Sequence, residues 1–284
     1  MARLNRKRSK PPFIKYIFFT IVFLSIAGYG GWQVSSQIQA AAPSSNYEVN
    51  LVSTLPHTNM QKEIPQKYDG KTRKIAYLTF DDGPGEYTNQ LLDILKQHDA
   101  KATFFVLGPN VNLYKDVAKR EVNEGHYIAM HSMTHDYKKL YGQQTFLPEM
   151  KESQQIIQDV TGQHSNLVRA PYGSMPGLNK ALRDQVADAQ LKLWDWTIDS
   201  LDWKYNRVPL NQSVPAIVNL VVSQSTKDKE VILFHDIHAQ SVQAVPLIIQ
   251  KLKEQGYEFE AYDEKERLKK MTHSLLSIYF PNRC

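Results

Sequence analysis

The sequence predicts an α/β chain: a distorted parallel (β/α) barrel of about seven strands, preceded by one N-terminal transmembrane helix. Two observations carry the barrel. From residue 71 to residue 262 short apolar runs alternate with amphipathic stretches, the pattern of strands joined by helical crossovers and therefore parallel. The length, 284 residues, suits one large core with attachments, since α/β barrels reach about 200 to 250 residues as single domains. An open doubly wound sheet is the alternative arrangement. The span rests on Tyr16 to Tyr47, which holds no charged residue and begins with an almost wholly apolar run.

The elements follow in chain order. Residues 1–15 are a basic tail with Arg3, Arg6, Lys7, Arg8, Lys10 and Lys15 and no acid, which marks the cytoplasmic side of a span. Residues 16–32 are just long enough to cross a bilayer, and Trp32 suits its interface. A cleaved signal peptide is the rival reading, with Ala40, Ala41 and Ala42 as an A-x-A-like site, but that site lies well beyond the apolar run. Either way the chain from about residue 40 onward lies outside the cytoplasm. Residues 33–70, rich in Gln, Ser, Asn and Ala with Pro43, Pro56 and Pro65, read as a linker. Strands are expected at 75–80, 102–106, 127–130, 166–169, 191–196, 231–234 and 257–261. A helix near 112–124 stops at Gly125, and one near 242–255, with Val242, Val245, Ile248, Ile249 and Leu252 on one face, stops at Gly256. Residues 263–284 form a tail with a charged, solvated opening and an apolar end expected to dock on the barrel.

Composition removes several function classes. The one cysteine, Cys284, excludes an intrachain disulfide and a cysteine zinc cluster, so a metal must sit on His, Asp or Glu. The net charge of +5 lies in the leader: outside residues 1–15 there are 28 bases against 29 acids, which removes the case for a nucleic-acid partner.

Barrel sites gather at the carboxyl ends of strands, and polar clusters stand there. Thr79-Phe80-Asp81-Asp82-Gly83-Pro84 follows the first strand. Neighbouring carboxylates on extended chain point apart, so one can bind a metal while the other acts as a base, although Asp-Asp-Gly-Pro is also a good turn. His131-Ser132-Met133-Thr134-His135 follows the third strand, and two imidazoles with one carboxylate leave a divalent ion with open positions. Arg169-Ala170-Pro171-Tyr172-Gly173 follows the fourth; an arginine at a buried strand end needs a carboxylate partner. Asp199-Ser200-Leu201-Asp202-Trp203 and Leu233-Phe234-His235-Asp236-Ile237-His238 follow the fifth and sixth. An aromatic beside acids suits a sugar, and a histidine at a strand end is a credible general acid.

These five segments, in this order, resemble the motifs of the polysaccharide deacetylases, the NodB-homology family of carbohydrate esterases, over about residues 74 to 262. With the leader, the chain is similar to the membrane-anchored peptidoglycan N-acetylglucosamine deacetylases of Gram-positive bacteria. The resemblance implies that Asp82, His131 and His135 hold a divalent metal, most often zinc, with cobalt as an alternative. It implies Asp81 as general base paired with Arg169, the Tyr172 N–H as oxyanion donor, and His235 as general acid oriented by Asp199. Leu233 would line the acetyl pocket, and Trp203 and Pro171 would shape the sugar groove. His238 and Asp202 stand as substitutes for His235 and Asp199. The implied enzyme is a monomer at the cell membrane acting on a glycan outside it. Other acetylated glycans, such as chitin oligomers or O-acetyl xylan, and a non-catalytic wall-binding module are the alternatives.

Overall fold

The computed structural model describes residues 67, 68 and 70–264. The expected leader, span, most of the linker and nearly all of the C-terminal tail lie outside the described residues, among which no helix is long and apolar enough to cross a membrane.

A two-stranded hairpin, β1 (Lys67–Tyr68) and β2 (Lys71–Thr72), leads into β3 (Lys74–Asp81). Then come α1 (Thr88–Gln97), β4 (Ala102–Val106), the short helices α2 (Gly108–Leu113) and α3 (Lys115–Asn123), and β5 (Tyr127–Met130). A π-helical turn over Lys138–Gly142 precedes α4 (Phe146–Thr161), β6 (Leu167–Val168) and α5 (Lys180–Asp188). The chain closes with β7 (Lys192–Leu193), β8 (Ile198–Asp199), a 3-10 turn over Asp202–Tyr205, α6 (Leu210–Gln224), β9 (Lys229–His235), α7 (Ala239–Glu254) and β10 (Tyr257–Phe259). Gly125 and Gly256 have φ of 82° and 86° and follow the last turns of α3 and α7, as their lack of a Cβ allows. The single helix expected near 112–124 is instead two, broken at Tyr114.

The main sheet is wholly parallel, in the order β7-β6-β5-β4-β3-β9-β8, and β10 pairs with the first three residues of β3. That is one strand more than expected. The expected strand 191–196 is shorter, and Ile198–Asp199 is a separate strand on the far edge.

The sheet is strongly curled. In a flat sheet β7 would lie roughly 19 Å from β3, four strand spacings away, yet the rings of Trp194 and Tyr77 are 5.3 Å apart. Trp194 donates its N–H to Val168 O on one side at 2.9 Å, and Thr197 donates to Val231 O on the other at 2.8 Å. The chain between β7 and β8 thus spans the gap between the edges, so the barrel is completed by crossing chain rather than by a ladder.

Strand periodicity then makes two cores. Ala76, Leu78, Phe80, Phe104, Val106, Ile128, Met130, Ile232 and Phe234 face the helices and are buried with Leu91, Leu95, Val245 and Ile249. Each such large side chain contributes about 1.5–3 kcal/mol relative to exposure. The alternate residues point inward: Phe105, Ala129 and Leu167 pack with Tyr262 and Trp194 as the barrel floor. At the carboxyl ends this inward series continues with Thr79 and Asp81, His131, Arg169, and Leu233 and His235.

Candidate active site and metal centre

The metal cradle comes from two loops. Asp82 leaves β3 with φ of 72°, and its N–H donates to Phe105 O while its own carbonyl accepts from Asn110 Nδ2 at 2.7 Å. After β5, Ser132 and His135 have φ of 88° and 48°, and the His135 N–H donates to Ser132 Oγ at 3.0 Å. These turns bring both imidazoles to the carboxylate: His131 Nε2 and His135 Nε2 each lie 3.6 Å from Asp82 Oδ1. One ligand atom from each of the three lies within 4.8 Å of the others. A tetrahedral ion with bonds of about 2.0–2.2 Å holds its ligand atoms roughly 3.3–3.6 Å apart, so the donors fit such an ion.

Two further observations support the fit. Asp82 Oδ1 is buried and has no hydrogen-bond partner, a state costly for a carboxylate unless a cation meets it. His131 Nδ1 is 2.9 Å from Arg169 O, which can only accept, so Nδ1 carries the proton and Nε2 offers its lone pair to the cradle. Burial also pushes His131 down to about 3, which keeps the ring neutral and able to ligate.

Asp81, on the inward face of β3, is beside the cradle with Oδ2 3.6 Å from His131 Nε2. Its Oδ1 accepts from Arg169 Nη1 at 2.8 Å, and the same nitrogen donates to Thr79 Oγ1 at 2.7 Å. Arg169 is fully buried, donates Nε–H to Trp194 O and stacks 4.0 Å from the Phe105 ring centroid. Burial raises the Asp81 carboxyl, and the Arg169 guanidinium opposes the rise.

Across the β3–β9 ladder Asp81 is in register with His235. One expectation is corrected here. The carboxylate that meets His235 belongs to Asp202, not Asp199: Asp202 Oδ1 is 2.8 Å from His235 Nδ1, and Oδ2 accepts the His235 backbone N–H at 2.7 Å. Asp202 is fully buried and also accepts from Ser241 Oγ. Asp199 instead closes a local turn, accepting Leu201 N–H at 2.8 Å, and lies 3.5 Å from the Trp203 indole nitrogen. Leu201 at φ 55° turns the chain inward, a kink that spacing alone does not reveal. Burial lowers the His235 pKa, but the Asp202 bond and charge, with Asp81 and Asp82, outweigh it and raise the ring to about 9. His238 stands with its ring 5.8 Å from that of His235, and burial lowers its pKa.

Pro171 is buried in a turn closed by Gly173 N–H to Ala170 O at 2.9 Å, with Tyr172 at φ 67°. Pro171 O accepts from Tyr141 Oη at 2.7 Å, so the Tyr172 N–H, antiparallel across the same peptide plane, points away from Tyr141. The Tyr172 hydroxyl donates to His135 O at 2.8 Å. Leu233 is buried on the inward face of β9, and Trp203 is 46% exposed at the rim. Two contributors were missed in the sequence: Thr79 opens the Thr79–Pro84 segment but was given no role there, and Tyr141 stands in none of the five segments.

A Bacillus cereus protein named peptidoglycan-N-acetylglucosamine deacetylase is 51% identical over 270 residues, 95% of this chain and 96% of its own. This chain belongs to the polysaccharide deacetylase family. The family model of that description matches residues 68–194. The crystal structure of the polysaccharide deacetylase Bc1974 from Bacillus cereus superposes with a TM-score of 0.67 at 58% identity, over 68% of this chain and 94% of that one. The peptidoglycan-N-acetylmuramic acid deacetylase PdaC of Bacillus subtilis is 38% identical over 277 residues, 94% of this chain and 56% of its own. The chain is thus a polysaccharide deacetylase, a hydrolase of a metal-dependent family, with a His/Asp cradle suited to the ion.

Proposed function

We propose that this enzyme removes N-acetyl groups from N-acetylglucosamine residues of peptidoglycan, with zinc as the ion held by Asp82, His131 and His135 and cobalt as a substitute. The observation that carries the reading is a three-donor cradle set between a base candidate and an acid candidate, Asp81 and His235, on adjacent strands. The whole-chain identity to a peptidoglycan-N-acetylglucosamine deacetylase supports the substrate.

When bound, the ion supplies charge that polarises the acetyl carbonyl and acidifies water beside it. Asp81 takes the proton of the attacking water. Its Oδ1 is fixed by Arg169, which leaves Oδ2 toward the cradle. The Tyr172 N–H meets the developing oxyanion, and one such donor contributes about 3–4 kcal/mol. His235 presents Nε2–H to the departing amine, because Nδ1–H is held by Asp202. Without that proton the amine is a poor leaving group. Leu233 packs on the acetyl methyl, while Trp203 and Pro171 border the sugar groove.

We place the domain outside the cell as a monomer, tethered through residues 16–32, because six bases and no acid precede an uncharged apolar run. A signal peptide cleaved after that run gives the same compartment.

The test is mass spectrometry of muropeptides, chitin oligomers and O-acetyl xylan after incubation with the purified ectodomain. Loss of one acetyl group from the glucosamine-containing fragment ion is expected. Loss from the muramic fragment instead would assign the acceptor seen in the name of the PdaC relative, and no acetate from any glycan would remove the deacetylase reading.

A further inference from the structure

Glu149 lies 14 positions beyond the second histidine of the cradle, on α4, outside every motif that carries the family resemblance. It is 8% exposed and shares the buried face of α4 with Phe146, Met150, Ser153 and Ile157. Its carboxylate is aimed into the loop that carries both histidines. Oε2 accepts the backbone N–H groups of Met133 at 3.0 Å and Thr134 at 2.9 Å. The Thr134 hydroxyl lies 3.0 Å from Oε1 and 2.9 Å from Oε2, and the Thr145 hydroxyl donates to Oε1 at 2.8 Å. Four donors therefore converge on one buried side chain, and three of them belong to the two residues before His135.

That loop needs such an anchor. Ser132 and His135 both sit at positive φ, where a residue with a Cβ is disfavoured. Two successive backbone N–H groups turned inward would be unsatisfied there without an acceptor, and no strand or helix ladder supplies one at residues 133 and 134. A charged acceptor makes the strongest bonds available to them.

We propose that Glu149 is a positioning residue for the metal centre: by binding the Met133 and Thr134 N–H groups it holds the turn that keeps His135 Nε2 converged with His131 Nε2 on Asp82. It touches neither ion nor substrate. The proposal rests on reading Asp82, His131 and His135 as the metal site, and it assigns the accuracy of that site to a helix that contributes no ligand.

The experiment measures zinc affinity of the purified full-length protein by competition with a chromogenic chelator, beside the melting temperature of the metal-free protein. Glu149→Met fills the volume but removes both acceptors, and affinity should fall about 10- to 100-fold, the usual effect of losing a group that orients metal ligands. Glu149→Gln can still accept both N–H groups through its amide oxygen while its NH2 faces the threonine hydroxyls, so it should restore affinity to within about threefold of the parent. Thr145→Val loses a bond to Glu149 but none to the loop and should leave affinity unchanged. If Glu149→Met binds zinc within twofold of the parent, or if Glu149→Gln is as impaired as Glu149→Met, the proposal is overturned. Should Glu149→Met fail to fold, Glu149→Asp decides, because its carboxylate is one methylene shorter and withdraws from the Met133 and Thr134 N–H groups while the charge is kept: a several-fold loss supports the anchor and unchanged affinity removes it. A parent protein that binds no zinc would overturn the metal-site reading itself, an outcome distinct from equal binding by parent and variant.

Discussion

Asp81 and Asp82 are neighbours in sequence with different surroundings: one is bonded to a buried arginine, the other has a bare oxygen facing two imidazoles. Asp82→Ala should therefore abolish stoichiometric zinc, whereas Asp81→Asn should keep near one equivalent by elemental analysis while acetate release falls steeply with little change in KM, the mark of a group needed in the transition state. The reverse pattern would exchange their roles. His235 carries a pH prediction. Its folded pKa of about 9 exceeds the unfolded value, about 6.5. The Asp202 pair therefore stabilises the fold fully below pH ~6.5, and that contribution is lost as pH rises through the folded value. An acid must be protonated, so turnover should fall on the alkaline side, and Asp202→Asn should move that fall down by a pH unit or more. Asp199→Asn should leave the alkaline limb in place, and a shift with Asp199→Asn alone would restore the first assignment. The sequence made every motif legible but not which acid of Asp199-Ser200-Leu201-Asp202 faces inward, because the choice depends on one left-handed residue, Leu201. Glu149 was hidden for a different reason: its only signal is an acid at a helix position whose neighbours at i−3, i+1, i+4 and i+8 are buried.

Between elements, the β3–α1 loop closely approaches the residue that follows β9. A Cβ at Gly83 would stand 2.3 Å from the carboxylate oxygens of Asp236, and Asp236 cannot swing away freely because it is fully buried and hydrogen-bonded to Thr88 Oγ1, which itself accepts the Gly85 N–H. Gly83→Ala should cost about 1–3 kcal/mol by chemical denaturation, the range for overpacking, and should also weaken zinc, since Asp82 is the preceding residue. An unchanged denaturation midpoint would mean that the loop yields more easily than this packing implies. The long strands were readable because their outward faces meet helices and most of their inward faces meet the barrel floor, giving continuous apolar runs. β6, β7 and β8 have two residues each. Such segments are too short to show a period, and their pairing is decided by the curl of the sheet.

For the molecule as a whole, the cradle couples metal to stability. Zinc at 100 times its Kd should raise unfolding free energy by about 2.7 kcal/mol, visible as a higher Tm that a chelator reverses; a Tm indifferent to both would speak against the site. The placement of the domain is tested separately, because protease added to intact protoplasts should digest the chain beyond residue 70, and full protection would put the domain inside. The alternation of strands and helices disclosed a parallel barrel, while the way it is completed, by chain crossing between two edges, has no sequence signature. One more property follows from β10. It lies beside Lys74–Ala76 of β3, and Tyr262 donates its N–H to Thr103 Oγ1 on β4, so the last-made part of the domain rests against the first. A chain still being synthesised already contains every metal-binding and catalytic residue by residue 235, yet leaves the start of β3 with an open, unpaired margin until residues 257–262 emerge. Contacts so distant along the chain make assembly slow and expose a template for self-association. A C-terminal truncation remote from all the chemistry is thus a lesion of folding yield rather than of turnover.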